Sequence, residues 1–159
     1  LSPGGGQIME ILNELDDTFL HGPETSGLEI MTTQEAMSAM EQHENDGLCH
    51  TIWTFQTPFI GGICNCDRAD CQALNISLNL DTPVLFRAEY IASINEENCS
   101  GCRNCFKVCH FGALEHSSTS AVSRVNQQKC YGCGVCRAAC PTGAIILKDR
   151  NNSSVSRLW

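Results

Sequence analysis

Twelve cysteines in 159 residues constrain this chain more than any other feature. They stand at 49, 64, 66 and 71, then 99, 102, 105 and 109, then 130, 133, 136 and 140. The last eight form two copies of C-x2-C-x2-C-x3-C, and Pro141 follows the second copy. An even count admits disulfides in a secreted protein. Two-residue gaps, however, crowd three thiols into one short loop, where most pairings would be strained or trivial. The opening LSPGGG also lacks the basic stretch and apolar run of an export signal. Free thiols of this kind belong to a reducing compartment, so a cytoplasmic, metal-organised protein is expected. No apolar run approaches the roughly 20 residues of a membrane span.

The spacing carries the chemistry. A cubane iron–sulfur core presents several irons a few ångströms apart, so three thiolates must converge from one tight loop. In a two-cluster arrangement the fourth cysteine of each run serves the other cluster. One 4Fe–4S cluster is therefore expected on Cys99, Cys102, Cys105 and Cys140, and a second on Cys130, Cys133, Cys136 and Cys109. Zinc needs only four ligands with pairwise spacing and leaves the third cysteine of each triplet unexplained.

The two runs are also an internal repeat. CSGCRNCFKVCHFGAL at 99–114 and CYGCGVCRAACPTGAI at 130–145 lie 31 residues apart and agree at seven of sixteen positions. On these residues the sequence resembles the bacterial dicluster ferredoxins, over about residues 88–150. The resemblance implies an α+β, ferredoxin-like domain with pseudo-twofold symmetry around both clusters. His110 departs from the pattern, standing where Pro is usual after the fourth cysteine. It reads as an exposed turn residue, with tuning of a cluster potential as the functional alternative. Gly101, Gly132 and Gly134 sit inside the ligand loops, where close backbone approach to sulfur is needed. Ile91, Ile94, Leu114, Val122, Val125, Ile145 and Ile146 read as short strands that exclude water.

Residues 1–87 are expected to be a mainly helical extension that carries a metal loop, with 151–159 a tail. QIMEILNELDDTFL at 7–20 places Ile8, Ile11, Leu12, Leu15 and Phe19 on one helical face. Thr32 and Glu35 form a capping-box pattern ahead of a helix that Gly47 stops, with Ala36, Met37 and Met40 as core filling. TIWTFQTPF then alternates as a strand does. GGICNCDRADC brings Cys64, Cys66 and Cys71 together, which by themselves lack a fourth ligand. His50 or Cys49 is placed to supply it. G-L-x-H followed by I-C-N-C-x4-C resembles a segment that precedes the dicluster module in a group of bacterial ferredoxin-like proteins. The resemblance implies ligation by His50, Cys64, Cys66 and Cys71, with Cys49 the alternative. Such a set suits a third iron–sulfur cluster with one His ligand, tetrahedral zinc, or no metal. The cluster is preferred because it extends an electron chain already present. The same resemblance implies a further cysteine-containing segment upstream of Leu1, so the chain is expected to be the C-terminal part of something longer.

Charge is unevenly spread. Residues 1–98 hold sixteen Asp and Glu against Arg68 and Arg87, a sum of −14. Residues 99–159 hold Glu115 and Asp149 against eight Lys and Arg, a sum of +6. Part of that positive charge offsets the clusters. The remainder, including Arg103, Lys107, Arg124, Lys129 and Arg137, faces either an acidic partner or the chain's own acidic half. A pI near 5.0 without a basic aromatic stripe argues against nucleic acid. No nucleophile–base set, phosphate loop or paired carboxylate stands out. The expectation is an electron-transfer protein or oxidoreductase subunit that works with redox protein partners. A catalytic iron–sulfur subunit, or a dicluster protein with structural zinc, is the alternative.

Overall fold

A computed structural model of the chain describes residues 29–56, 59–80, 82–117 and 119–155. The helix expected over 7–20 and the Leu158-Trp159 end lie outside these residues. The chain divides into two compact units, Leu1–Ala39 and Met40–Trp159.

Helix α1 (Thr33–Asn45) begins where the capping pattern places it. Glu35 Oε2 accepts from Thr32 N at 2.8 Å, and Thr32 Oγ1 accepts from Glu35 N at 3.3 Å, so two otherwise orphan donors are satisfied reciprocally. Gly47, at φ +86°, ends the run. The methionines do not fill a core as expected. α1 buries no residue and Met37 is 52% exposed. Two methionines and an alanine make too narrow an apolar stripe to seat a helix.

Strand β1 (Cys49–Gln56) pairs antiparallel with β2 (Phe59–Cys66), Cys49 opposite Cys66 and Thr51 opposite Cys64. Helix α2 (Gln72–Asn79) follows, its first turn capped by the Cys71 sulfur, which accepts from Leu74 N at 3.5 Å. The described part of the extension is thus helix, ribbon, helix. β-branched and aromatic residues (Thr51, Ile52, Trp53, Thr54, Ile60 and Ile63) favour the pleated ribbon.

Strand β3 (Tyr90–Ile94), helix α3 (Asn104–Val108), strands β4 (Leu114–His116) and β5 (Ser123–Val125), helix α4 (Val135–Ala138) and strand β6 (Ile145–Asp149) complete the chain, before a 3-10 turn at Arg150–Asn152. β3 pairs with β6 and β4 with β5, both antiparallel. Left-handed backbone recurs at spacings of 31 residues: Gly101 and Gly132, Arg103 and Gly134, Gly112 and Gly143. At Gly101 and Gly132 nothing but hydrogen fits. A Cβ would collide with the Ala121 carbonyl in the first case and the Tyr90 carbonyl in the second.

Two buried clusters hold the second unit together. Ile91, Ala92, Ala113, Leu114 and Ile145 pack with Cys105, Cys130 and Cys136. Cys49, Cys71 and Leu74 pack with Phe111 and Val135, so the ribbon and α2 share a core with the cysteine-rich repeat across the expected boundary at 87/88. Ile146, expected to face inward, is 47% exposed while Ile145 is 3% exposed. Consecutive strand residues point to opposite faces, so only one of the pair can be inside. No helix among the described residues is long and apolar enough to cross a membrane.

Candidate metal centres

All twelve cysteines are free thiols. Eight of them gather at two hollows in the repeat. One hollow, of about 300 Å³ counting its open mouth, is lined by Cys99, Cys102, Cys105 and Cys140. The other, of about 350 Å³ counted the same way, is lined by Cys109, Cys130, Cys133 and Cys136. Each set takes three cysteines from one run and the fourth from the other. The local fold explains how. α3 and α4 each start from a left-handed residue, Arg103 or Gly134, that turns the chain just after the second cysteine of its run. The third cysteine then falls within the helix and the fourth just beyond it.

Hydrogen-bond donors surround the sulfurs. Ala113 N donates to Cys109 Sγ at 3.3 Å, and Cys140 Sγ lies 3.6 Å from Thr142 Oγ1. Burial raises the Cys109 and Cys105 thiols above their usual range. Cys136 is pushed up to about 12, by burial first and then by the neighbouring Cys133 and Cys109. For Cys140, burial pulls upward, but bonds from the Thr142 hydroxyl and backbone N–H groups outweigh it and lower the thiol. Bare thiols packed this closely repel one another once ionised. Coordinated iron removes that repulsion, and N–H donors favour the charged sulfurs, so the residues fit iron–sulfur clusters.

The remaining four cysteines lie near one another, three on one face of the ribbon and Cys71 at the start of α2. Side chains alternate along a strand, and directly opposed residues share a face. Cys49, Cys64 and Cys66 therefore point the same way, toward the loop that ends at Cys71. Cys66 is pushed up to about 12, by burial first and then by Cys71 and Cys64. His50 stands one residue out of step, on the opposite face with Asn65, its Nδ1 2.6 Å from Asn65 Oδ1. The ribbon thus brings Cys49 to the cysteine face and leaves His50 off it. Among the described residues, no three His, Cys, Asp or Glu side chains close on a single-ion point.

This third group adjoins the larger hollow. Cys49 is 2% exposed, its Sγ donates to the His50 carbonyl at 3.8 Å, and Cys133 packs against its cluster; the closeness of the two thiols raises Cys49, with burial adding to it, and lowers Cys133. Next to it, the Phe111 and Tyr131 rings stack at 4.2 Å. His110 is half-buried rather than an exposed turn residue, with Nε2 2.8 Å from the Gly47 carbonyl. That bond ties the repeat to the segment entering β1. Two of the five cations singled out in sequence meet acids of the chain's own acidic half: Arg137 with Glu44 at 3.1 Å and Arg124 with Glu96 at 3.2 Å. Arg103, Lys107 and Lys129 are exposed and form no ion pair among the described residues.

Two cations beside the larger hollow escape the sequence reading. Arg150 is fully buried, and Arg87 lies with its guanidinium carbon 5.1 Å from the Tyr131 ring centre. The available signal was their asymmetry across the repeat: a 31-residue shift carries Arg87 to Ser118 and Arg150 to Thr119.

Residues 92–147 match the family model described as a 4Fe-4S dicluster domain. No curated protein matches the chain. The match supports a 4Fe–4S ferredoxin-like module in this span, to which the small α+β fold corresponds, and an iron–sulfur electron-transfer role with it.

Proposed function

We propose that this chain is an electron-transfer protein or subunit with two 4Fe–4S clusters and a third iron–sulfur centre. Cys99, Cys102, Cys105 and Cys140 hold one cluster; Cys109, Cys130, Cys133 and Cys136 hold the other. The observation that carries this reading is the pair of four-cysteine hollows, each completed by the other run's last cysteine. The 31-residue recurrence of left-handed backbone and the β3–β6 and β4–β5 pairings support a pseudo-twofold module over about 88–150. When bound, such clusters take up and release single electrons at potentials set by their surroundings.

For the third centre the proposed ligands are Cys49, Cys64, Cys66 and Cys71. The strand register favours Cys49 over His50 as the fourth. An all-thiolate set suits an iron–sulfur cluster, and the contact of Cys49 with Cys133 puts this group beside the middle of the chain of centres. The order along the molecule is then ribbon group, larger hollow, smaller hollow.

The chain's own residues provide the rest of the mechanism. Ile91, Ala92, Leu114 and Ile145 keep water from the sulfurs. Ala113 N–H steadies negative charge on Cys109. Cys102, exposed at the smaller hollow, marks where a redox protein partner can approach closely. Titration of anaerobically purified protein with a one-electron reductant tests the reading. About three electron equivalents per chain, one for each centre, taken up reversibly with bleaching of visible absorption, are expected. A chain that bleaches irreversibly or takes up none is not an electron carrier.

A further inference from the structure

Two guanidinium groups lie beside residues that line the larger hollow, with no acidic partner among the described residues. Arg150 is 0% exposed. Its Nε donates to the Ala88 carbonyl at 2.7 Å, and its Nη2 donates to the Tyr90 and Cys130 carbonyls at 2.9 and 3.0 Å. Its Nη1 is buried with no partner, and so is Nη1 of Arg87. Neither arginine forms an ion pair among the described residues. A buried cation held only by carbonyls has lost most of its hydration and needs a compensating negative charge nearby. The two groups are close enough to repel each other and to feel Cys130. Cys130 lines the larger hollow, and so does Tyr131, which lies against the Arg87 guanidinium.

The smaller hollow has no equivalent. Its lining cation, Arg103, is exposed to water, and Arg124 is exposed and paired with Glu96. In sequence, the 31-residue shift matches Arg87 with Ser118 and Arg150 with Thr119, neither of them charged. Two sites built from one repeat therefore differ by two positive charges, Arg150 fully buried and Arg87 half-buried with its Nη1 enclosed. A low-dielectric surrounding makes such a difference count, because solvent and salt screen it far less than they screen exposed charge.

We infer that Arg150 and Arg87 raise the reduction potential of the Cys109, Cys130, Cys133 and Cys136 site above that of its Cys99, Cys102, Cys105 and Cys140 counterpart. This rests on the proposed function. It makes the larger site the point where an incoming electron settles, between the ribbon group and the exposed Cys102 face. Both arginines act through charge on a neighbouring site and are tuning residues.

The test is EPR-monitored redox titration of the full chain, with iron and acid-labile sulfide counted on the same samples. Wild type is compared with Arg87→Gln, Arg150→Lys and Arg150→Gln, and Cys133→Ser identifies the larger site's signal. Arg87→Gln and Arg150→Gln are each expected to lower that site's reduction equilibrium constant about tenfold or more, equal to about 59 mV for one electron. The smaller site's signal should stay in place, and Arg150→Lys should remain near wild type. Arg87 makes no hydrogen bond among the described residues, so its variant decides the question should Arg150→Gln not load. Unmoved potentials in Arg87→Gln would falsify the inference. A shift confined to the other site, or an equal shift in Arg150→Lys and Arg150→Gln, also overturns it. Wild-type protein without iron and sulfide overturns the proposed function instead, and the metal count tells the two failures apart.

Discussion

Position 49 differs from position 50 by one step along a strand, and that step decides which side chain meets the cysteines. Cys49 lies opposite Cys66 and is buried among thiols, whereas His50 lies opposite Asn65 and bonds to it. Cys49→Ala is accordingly expected to lose the third centre's iron, and His50→Ala to keep it, as measured by metal content per chain. Gly132 offers a second residue-scale expectation. A Cβ there meets the Tyr90 carbonyl at a φ of +83°. Left-handed backbone alone costs a non-glycine residue about 1–2 kcal/mol, and the collision adds to it. Gly132→Ala should lower the unfolding midpoint and cluster content together; unchanged stability would mean that the loop has room to yield.

At the scale of elements, the ribbon and the repeat are joined by a few specific ties. The His110 bond to the Gly47 carbonyl is one, and the buried cluster of Cys49, Cys71, Leu74, Phe111 and Val135 is another. Replacing His110 with Pro removes a bond worth about 1 kcal/mol. Amide exchange in residues 47–51 should quicken, with the potentials of both repeat sites unmoved; a shifted potential would restore the tuning role for His110. The Arg137–Glu44 pair is half-exposed, so Glu44→Gln should change stability by less than about 1 kcal/mol in chemical denaturation. Much of this level is legible in sequence. The cysteine runs announce the loops, and Thr32 with Glu35 announces the start of α1, because both depend on local chemistry. The ribbon is only half legible. TIWTFQTPF shows one strand, but the parity of Cys49 and His50 depends on pairing with β2, and that register is a property of two segments together. The exposed Met37 and Ile146 mislead for a similar reason: hydrophobicity alone does not tell which face finds a neighbour.

At the scale of the molecule, charge and burial set the terms of cluster loading. Cys136 and Cys66 are pushed up to about 12, above the free thiol's value of about 8.5, so the empty fold holds them protonated. A raised thiol pKa stabilises the empty fold below the unfolded value, and this contribution fades as pH climbs toward about 12. Metal ligation runs the other way, because each thiol must release its proton. Reconstitution should therefore release protons and proceed further as pH rises from about 7 to about 9, read as iron retained per chain; retention independent of pH would contradict this. The buried Arg150 and the half-buried Arg87 lie beyond what the sequence discloses, since charge counts place them with the other cations and only the fold puts them against Cys130 and Tyr131.

Counting iron and acid-labile sulfide in anaerobically purified wild-type protein, beside Cys64→Ala, tests the account most directly. Three iron–sulfur centres predict about twelve irons and twelve sulfides per chain, falling to about eight of each in the variant. Eight irons accompanied by one zinc, with only the zinc lost in Cys64→Ala, would contradict the third cluster, and fewer than eight irons in wild type would contradict the two-cluster core itself.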